Sequence, residues 1–409
     1  MTSSTATDTS TDLRLKLLPS FRSLHHTTQE ADAGPALALA LVADAVHAQA
    51  SDIHIDPATD HYRVRFRIDG KLINTFDGEP TEGHRLVNQF RVLSRIDPAE
   101  IGATEGHWTG EVDDQLLDLR TTFVPTVLGD KMSARILGTH LASMDLYEVG
   151  LDAPATAALD QWLASPNGMI VVAGPTGSGK TTLLYAIARR LATPDASVVT
   201  LEDPVEHPID SMTQIDIGQP LGLGFEQALK TALRLDPDYL MVGETRDKAT
   251  AEASLQAVNC GHALLTSTHS ENAVGVVDRF RNWDIDDREL AAALRFVIAT
   301  RLVRRLCPAC STTQAPDEVD RRWLEAQNAT IPTTIPQAVG CEVCHGIGYA
   351  GQLPLFDCWR IDEEAAARIA SGTATGKLRE AAKHPIASTG ITAAEKGWTT
   401  IRELRTAGL

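Results

Sequence analysis

Apolar and polar positions alternate along Tyr62-Arg63-Val64-Arg65-Phe66-Arg67-Ile68, and Asp69-Gly70 follows at once. A period of two closed by a turn signal predicts a strand, with Ile53-His54-Ile55 before it as its partner. Leu119–Val124 and Ala134–Leu137 are also strand-like, with Gly129-Asp130 as a turn between them. Ahead of these, Ala36–Gln49 carries Leu37, Leu41 and Ala45 at helical spacing and no Gly or Pro, which predicts a helix. Residues 36–140 therefore read as a small α+β domain. The pattern changes after the connection 141–153. Short apolar runs at Met169–Ala173, Ser197–Leu201, Tyr239–Val242 and Ala263–Ser267 alternate with helical stretches, as in a mainly parallel sheet. Arg288–Leu306 is expected to be helical. Residues 307–358 are rich in Cys and Gly with little periodicity, and Asp362–Leu409 reads as mostly helical. Residues 1–35 are polar and of low complexity, and are expected to be a flexible tail with one helical turn near Leu13–Leu18. The second domain is expected to span 154–409.

The chain has 409 residues and a formal net charge of −17. That balance speaks against sequence-independent nucleic-acid binding, which needs clustered Lys and Arg. No run approaches the roughly 18–20 apolar residues of a spanning helix, and Met1–Asp12 lacks the charged and apolar regions of a secretory signal. A cytoplasmic protein is expected, with no direct nucleic-acid contact.

Met169–Ala173 runs into Gly174-Pro175-Thr176-Gly177-Ser178-Gly179-Lys180-Thr181-Thr182, and a helical stretch follows. Strand, glycine-rich loop, Lys, Thr and helix are the parts of a phosphate-binding P-loop. The glycines let backbone N–H groups converge, and the helix N-terminus adds partial positive charge. Lys180 is placed to reach the β- and γ-phosphates of ATP, and the Thr181 hydroxyl to ligate Mg²⁺. Two acidic segments sit at strand ends: Leu201-Glu202-Asp203-Pro204-Val205-Glu206 and Asp236-Pro237-Asp238-Tyr239-Leu240-Met241-Val242-Gly243-Glu244. A carboxylate there can hold the metal's water shell or polarise the attacking water. A third strand leads into Thr268-His269-Ser270 and is preceded by His262. A histidine at a strand tip can sense the γ-phosphate, and a structural histidine is the alternative.

Cys307-x-x-Cys310 and Cys341-x-x-Cys344 form two pairs with the spacing of a closed tetrahedral Zn²⁺ site, at about residues 305–352. Gly340, Gly346 and Gly348 supply tight turns, and His345 is surplus. Buried free thiols are the alternative. Cys260 and Cys358 fall outside the pattern and read as small apolar core residues.

Together these segments resemble the type II/IV secretion E family, the ATPases of type II secretion and type IV pilus assembly. Ala50-Ser51-Asp52-Ile53-His54-Ile55 and Arg65–Gly70 look like signatures of its N-terminal ATPase subdomain. Gly174–Thr182 matches its Walker A, Leu201–Glu206 its Asp box, Leu235–Asp247 its Walker B and Gly261–His269 its His box. Thr300–Cys307 matches the run opening its zinc module. The resemblance implies a RecA-like P-loop domain behind a small PAS-like α+β domain, with an inserted tetracysteine zinc module. It implies a homohexamer acting on an inner-membrane platform protein. It makes Glu202 the general base and Glu244 the Walker B carboxylate, although the two roles are open to exchange. His262 and His269 are implied to couple nucleotide state to domain motion, and Arg67, Arg120 and Arg135 to contact phosphate. The zinc module is a mark of the assembly branch rather than of retraction ATPases. Where the family has Gln-Asp-Gly-Arg, this chain has Glu105-Gly106-His107-Trp108, and its His box reads Thr-His-Ser. Many members carry a further N-terminal docking domain that is not expected in residues 1–35. The competing readings are a RecA-like nucleic-acid motor and a slow ATP-dependent switch.

Overall fold

A computed structural model describes residues 17–27, 35–113, 115–138, 144–218, 224–381 and 386–409. The chain divides into two units. The first takes residues 1–139, 306–312 and 337–351; the second takes 140–305, 313–336 and 352–409.

The first unit holds α1 (Pro19–Thr27), α2 (Ala36–His47), β1 (Ala50–Pro57), β2 (Tyr62–Ile68), β3 (Lys71–Gly78), α3 (Pro80–Leu93), β4 (Thr104–Val112), β5 (Gln115–Thr126) and β6 (Gly129–Gly138). Its six strands, among the described residues, lie in the order β3-β2-β1-β6-β5-β4, and each pairing is antiparallel. Alternation decides which face is buried. Tyr62, Val64, Phe66 and Ile68 of β2 join Ile53 and Ile55 of β1 in one core with Leu41 of α2 and Phe90 of α3. Each such side chain contributes roughly 1.5–3 kcal/mol by leaving water. The intervening arginines stand on the other face.

Part of the expected tail is folded. Leu17, Leu18 and Phe21 are buried in this core. The backbone N–H groups of Ser20 and Phe21 donate to the buried Asp44 carboxylate at 3.0 and 2.8 Å. Apolar residues hidden in a polar stretch thus find a docking site on α2. The helical turn expected near Leu13–Leu18 lies mostly outside the described residues.

The second unit holds α4 (Ala153–Ala164), β7 (Met169–Ala173), α5 (Lys180–Leu191), β8 (Val198–Glu202), β9 (Thr213–Asp216), α6 (Phe225–Ala232), β10 (Tyr239–Val242), α7 (Lys248–Asn259) and β11 (Ala263–Thr268). These are followed by α8 (Gly275–Asn282), α9 (Asp287–Ala293), β12 (Leu294–Leu306), α10 (Glu318–Ala326), β13 (Tyr349–Arg360) and the helices α11 (Glu363–Ala370), α12 (Thr375–Ala381), α13 (Ile386–Glu395) and α14 (Ile401–Thr406). The strand order is β13-β12-β7-β11-β10-β8-β9, and the pairings from β12 through β9 are parallel. Along β7, Met169, Val171 and Ala173 enter one core with α6, α7 and α8, whereas Ile170 and Val172 enter another with α4 and α5. Helices cover both faces, which is why these strands read as unbroken apolar runs.

Two sequence expectations give way here. Arg288–Leu306 is not one helix: α9 ends at Ala293, and Leu294–Leu306 is a strand beside β7. Its run Phe296-Val297-Ile298-Ala299 is buried on both sides, and a short apolar run of this kind carries no period that tells strand from helix. Cys260 is exposed rather than in a core, because it caps the surface end of α7. Cys358 is partly buried against the α4–α5 core, as expected. The expected zinc module also divides by its contacts. Its two cysteine segments group with the first unit, where Ile347 packs on the core and the Gly351 N–H donates to Asp69 at 2.8 Å.

Candidate nucleotide-binding site

β7 ends at Ala173, the loop Gly174–Gly179 follows, and α5 starts at Lys180. Gly174, Gly177 and Gly179 all have positive φ, at 151°, 74° and 90°. A Cβ on Gly174 would lie 2.4 Å from Ser178 Oγ and 2.5 Å from the Thr300 carbonyl, so this turn admits only glycine. Pro175 and Thr176 complete the outer curve, and Thr181 and Thr182 sit half-buried in the first turn of α5. That turn holds no acidic residue to offset its partial positive charge. Lys180 curls over its own loop, donating from Nζ to the carbonyls of Gly174 at 2.9 Å and Pro175 at 3.0 Å. Burial lowers its pKa, opposed by the charges of Glu244 and Glu206. Both of these hydrogen-bond acceptors are neutral, and phosphate oxygens make stronger, charge-assisted partners.

Strand order brings the other groups to the same edge. Beyond β7 come the tips of β11, β10 and β8, in that order. His269, after β11, presents Nδ1 to the Gly174 carbonyl at 3.1 Å and Nε2 to Glu244 Oε1 at 3.0 Å. Glu244, after β10, also accepts from Arg246 Nε at 2.9 Å, and Arg246 lies 3.6 Å from Asp203. A polar chain therefore runs from Asp203 through Arg246, Glu244 and His269 to the P-loop. Glu202, at the tip of β8, is only 3% exposed. It accepts from Thr200 Oγ1 at 2.5 Å, from Gln214 Nε2 at 3.1 Å and from the Tyr185 hydroxyl.

The expected residues do not all converge. His262 stands before the first residue of β11, with Nδ1 3.1 Å from the Ala257 carbonyl. At about 3.3 Å per residue it is roughly 23 Å along the strand from His269. Arg67, Arg120 and Arg135 belong to the first unit. There they form one cross-strand row, Arg67–Asp52–Arg135–Arg120–His107. Asp52 holds Arg67 Nε at 3.4 Å and Arg135 Nε at 3.1 Å. Sequence reasoning missed Tyr185, Thr200 and Gln214 around Glu202. The one available signal was that a buried tyrosine must place its hydroxyl on a partner.

The cysteines do converge. Cys307, Cys310, Cys341 and Cys344 place their sulfurs within 4.8 Å of one another, with separations of 3.9, 3.7 and 3.8 Å for 307–341, 310–344 and 341–344. A tetrahedron with Zn–S of about 2.3 Å has edges of about 3.8 Å, so the set fits the ion. Backbone N–H groups of Gly340, Cys341 and Gly348 point at Cys310, Cys344 and Cys344 sulfurs at 3.3, 3.2 and 3.2 Å. Such donors favour thiolate over thiol.

A P-loop on a parallel sheet, with glutamates and a histidine on the neighbouring strand tips, defines a RecA-like nucleoside triphosphatase. More narrowly, the chain belongs to the type II/IV secretion system protein family, whose model matches residues 29–406. It is 35% identical over 345 residues to the type II secretion system protein HxcR of Pseudomonas aeruginosa, covering 84% of this chain and 70% of that one. It is 32% identical over 365 residues to the type IV pilus assembly ATPase PilB of Myxococcus xanthus, covering 86% and 63%. Among solved structures, the ATPase DotB of Legionella pneumophila superposes with a TM-score of 0.68 at 20% identity, covering 93% of this chain and 98% of that one. The pilus retraction motor PilT with bound ADP gives 0.61 at 20% identity, covering 90% and 96%. These two structures share its fold.

Proposed function

We propose that the chain is a magnesium-dependent ATP hydrolase that drives assembly of a type IV pilus or a type II secretion pseudopilus. The observation that carries this reading is the convergence of Lys180, Glu244, His269 and Glu202 on one sheet edge around a P-loop. The names of the type II secretion and pilus assembly relatives point to the machine it serves.

In this reading Lys180 leaves the Gly174 and Pro175 carbonyls for the β- and γ-phosphates, and the loop N–H groups cradle them. The Thr181 hydroxyl and Glu244 would hold Mg²⁺, which when bound neutralises phosphate charge. Glu202 takes a proton from water as the water oxygen bonds to the γ-phosphorus. The bridging P–O bond to the β-phosphate breaks, and its electron pair leaves with ADP. His269 links the Glu244 carboxylate to the loop and so reports whether phosphate is present; His262 would carry that state to the far end of β11. Arg67, Arg120 and Arg135 would serve a neighbouring copy in a homohexamer, where a guanidinium offsets charge on the γ-phosphoryl group. The four cysteines would hold a structural Zn²⁺. No helix among the described residues is long and apolar enough to cross a membrane. We place the protein in the cytoplasm, at the inner membrane through a platform protein.

The test is phosphate release from Mg-ATP. Lys180→Ala and Glu202→Gln should each lower turnover by about 10²-fold or more. Wild-type turnover in Lys180→Ala would remove the P-loop from the chemistry.

A further inference from the structure

α5 reaches the nucleotide edge twice. Its N-terminus faces the phosphate loop, and five residues after Lys180 it carries Tyr185, which is 1% exposed. The Tyr185 hydroxyl donates to Glu202 Oε2, whereas Thr200 Oγ1 and Gln214 Nε2 both donate to Oε1. Donors on both oxygens hold the carboxylate plane more tightly than donors on one oxygen alone, because the terminal torsion of glutamate is otherwise soft. Among the described residues Tyr185 is the donor on Oε2. An ionised carboxylate offers about four lone-pair sites. Among the described residues three are occupied, which leaves one on Oε2.

We propose that Tyr185 is a positioning residue for ATP hydrolysis, fixing the Glu202 carboxylate so that the open lone pair of Oε2 meets the attacking water. This rests on reading Glu202 as the general base. The same contact ties the base to the helix whose first turn holds the phosphates, so a shift of α5 on nucleotide binding moves the base with it. Burial, and then the Glu202 charge, push the phenol's pKa far up, so Tyr185 stays a donor at any working pH. A misplacement of about 1 Å at such a site is worth up to 10²-fold in rate.

The experiment is single-turnover and steady-state hydrolysis of Mg-ATP by the full chain in four forms: wild type, Tyr185→Phe, Glu202→Gln and the double variant. Tyr185→Phe should lower kcat by about 10–100-fold, with KM for ATP nearly unchanged. In the Glu202→Gln background the same substitution should cost nothing more, because the group it positions is already gone. A wild-type kcat in Tyr185→Phe, or an equal loss in both backgrounds, overturns the proposal. If Glu202→Gln alone keeps wild-type turnover, the general-base reading falls instead. Should Tyr185→Phe fail to fold, Thr200→Val carries the test. It leaves Gln214 on Oε1 and Tyr185 on Oε2, so the proposal allows a loss of only a few-fold, and a loss of about 10²-fold contradicts it.

Discussion

Lys180 is a full charge resting on two neutral carbonyls of its own loop. That arrangement leaves it available to phosphate, and Lys180→Met should weaken ATP binding about tenfold or more, read by titration with a fluorescent nucleotide. His269 is the neighbouring test. It joins Glu244 to the Gly174 carbonyl, and His269→Ala should lower kcat while leaving nucleotide affinity within a few-fold; equal loss of both would make it a binding group only. Lys180, Thr181, Glu202 and Glu244 were legible in the sequence because the P-loop is a local pattern and each acid closes an apolar run. Tyr185 and Gln214 were not. They reach Glu202 across 17 and 12 residues of chain, and no local spacing encodes such a contact. His262 was read as a site residue from its place beside β11, but the direction of the strand carries it away from the loop.

Among elements, the alternating strands of the first unit and the buried runs of the second were predictable because burial on one face or on both leaves different patterns. β12 was read as helix because its short apolar run Phe296–Ala299 carries no period that tells strand from helix. α1 shows the opposite case, a helix held by contacts that no periodicity announces. Asp44 accepts its first two N–H groups from inside the core, so Asp44→Ala should cost about 1–3 kcal/mol in urea unfolding and expose residues 17–27 to protease. An unchanged midpoint would mean that α1 docks through Leu18 and Phe21 alone. β1 gives a pH prediction. Burial, with help from Arg67 and Lys131, lowers the His54 pKa below its ordinary 6.5, against the opposing charges of Asp52 and Asp56. Between that lowered value and 6.5 the unfolded chain binds more protons than the folded one. His54's contribution to stability is therefore present above pH 6.5 and falls as pH drops through the folded pKa. The urea midpoint should fall on going from about pH 7.5 to about 5.5, and less so in His54→Asn. Equal slopes in the two proteins would contradict this.

Across the whole molecule, the nucleotide edge and the arginine row belong to different units of one chain. The cysteine pairs were readable as a metal set from spacing, but their packing with the first unit was not, because 313–336 intervene in sequence and group elsewhere. A strong chelator should release about one Zn²⁺ per chain and lower the melting temperature, and Cys344→Ser should do the same without chelator. The proposed activity is ATP hydrolysis by an assembled motor. Its test is turnover per chain against protein concentration, with the mass in solution followed in parallel with and without Mg-ATP. Turnover should rise steeply as a hexameric mass appears and be lost in Lys180→Ala. Constant turnover per chain at monomer mass would contradict it.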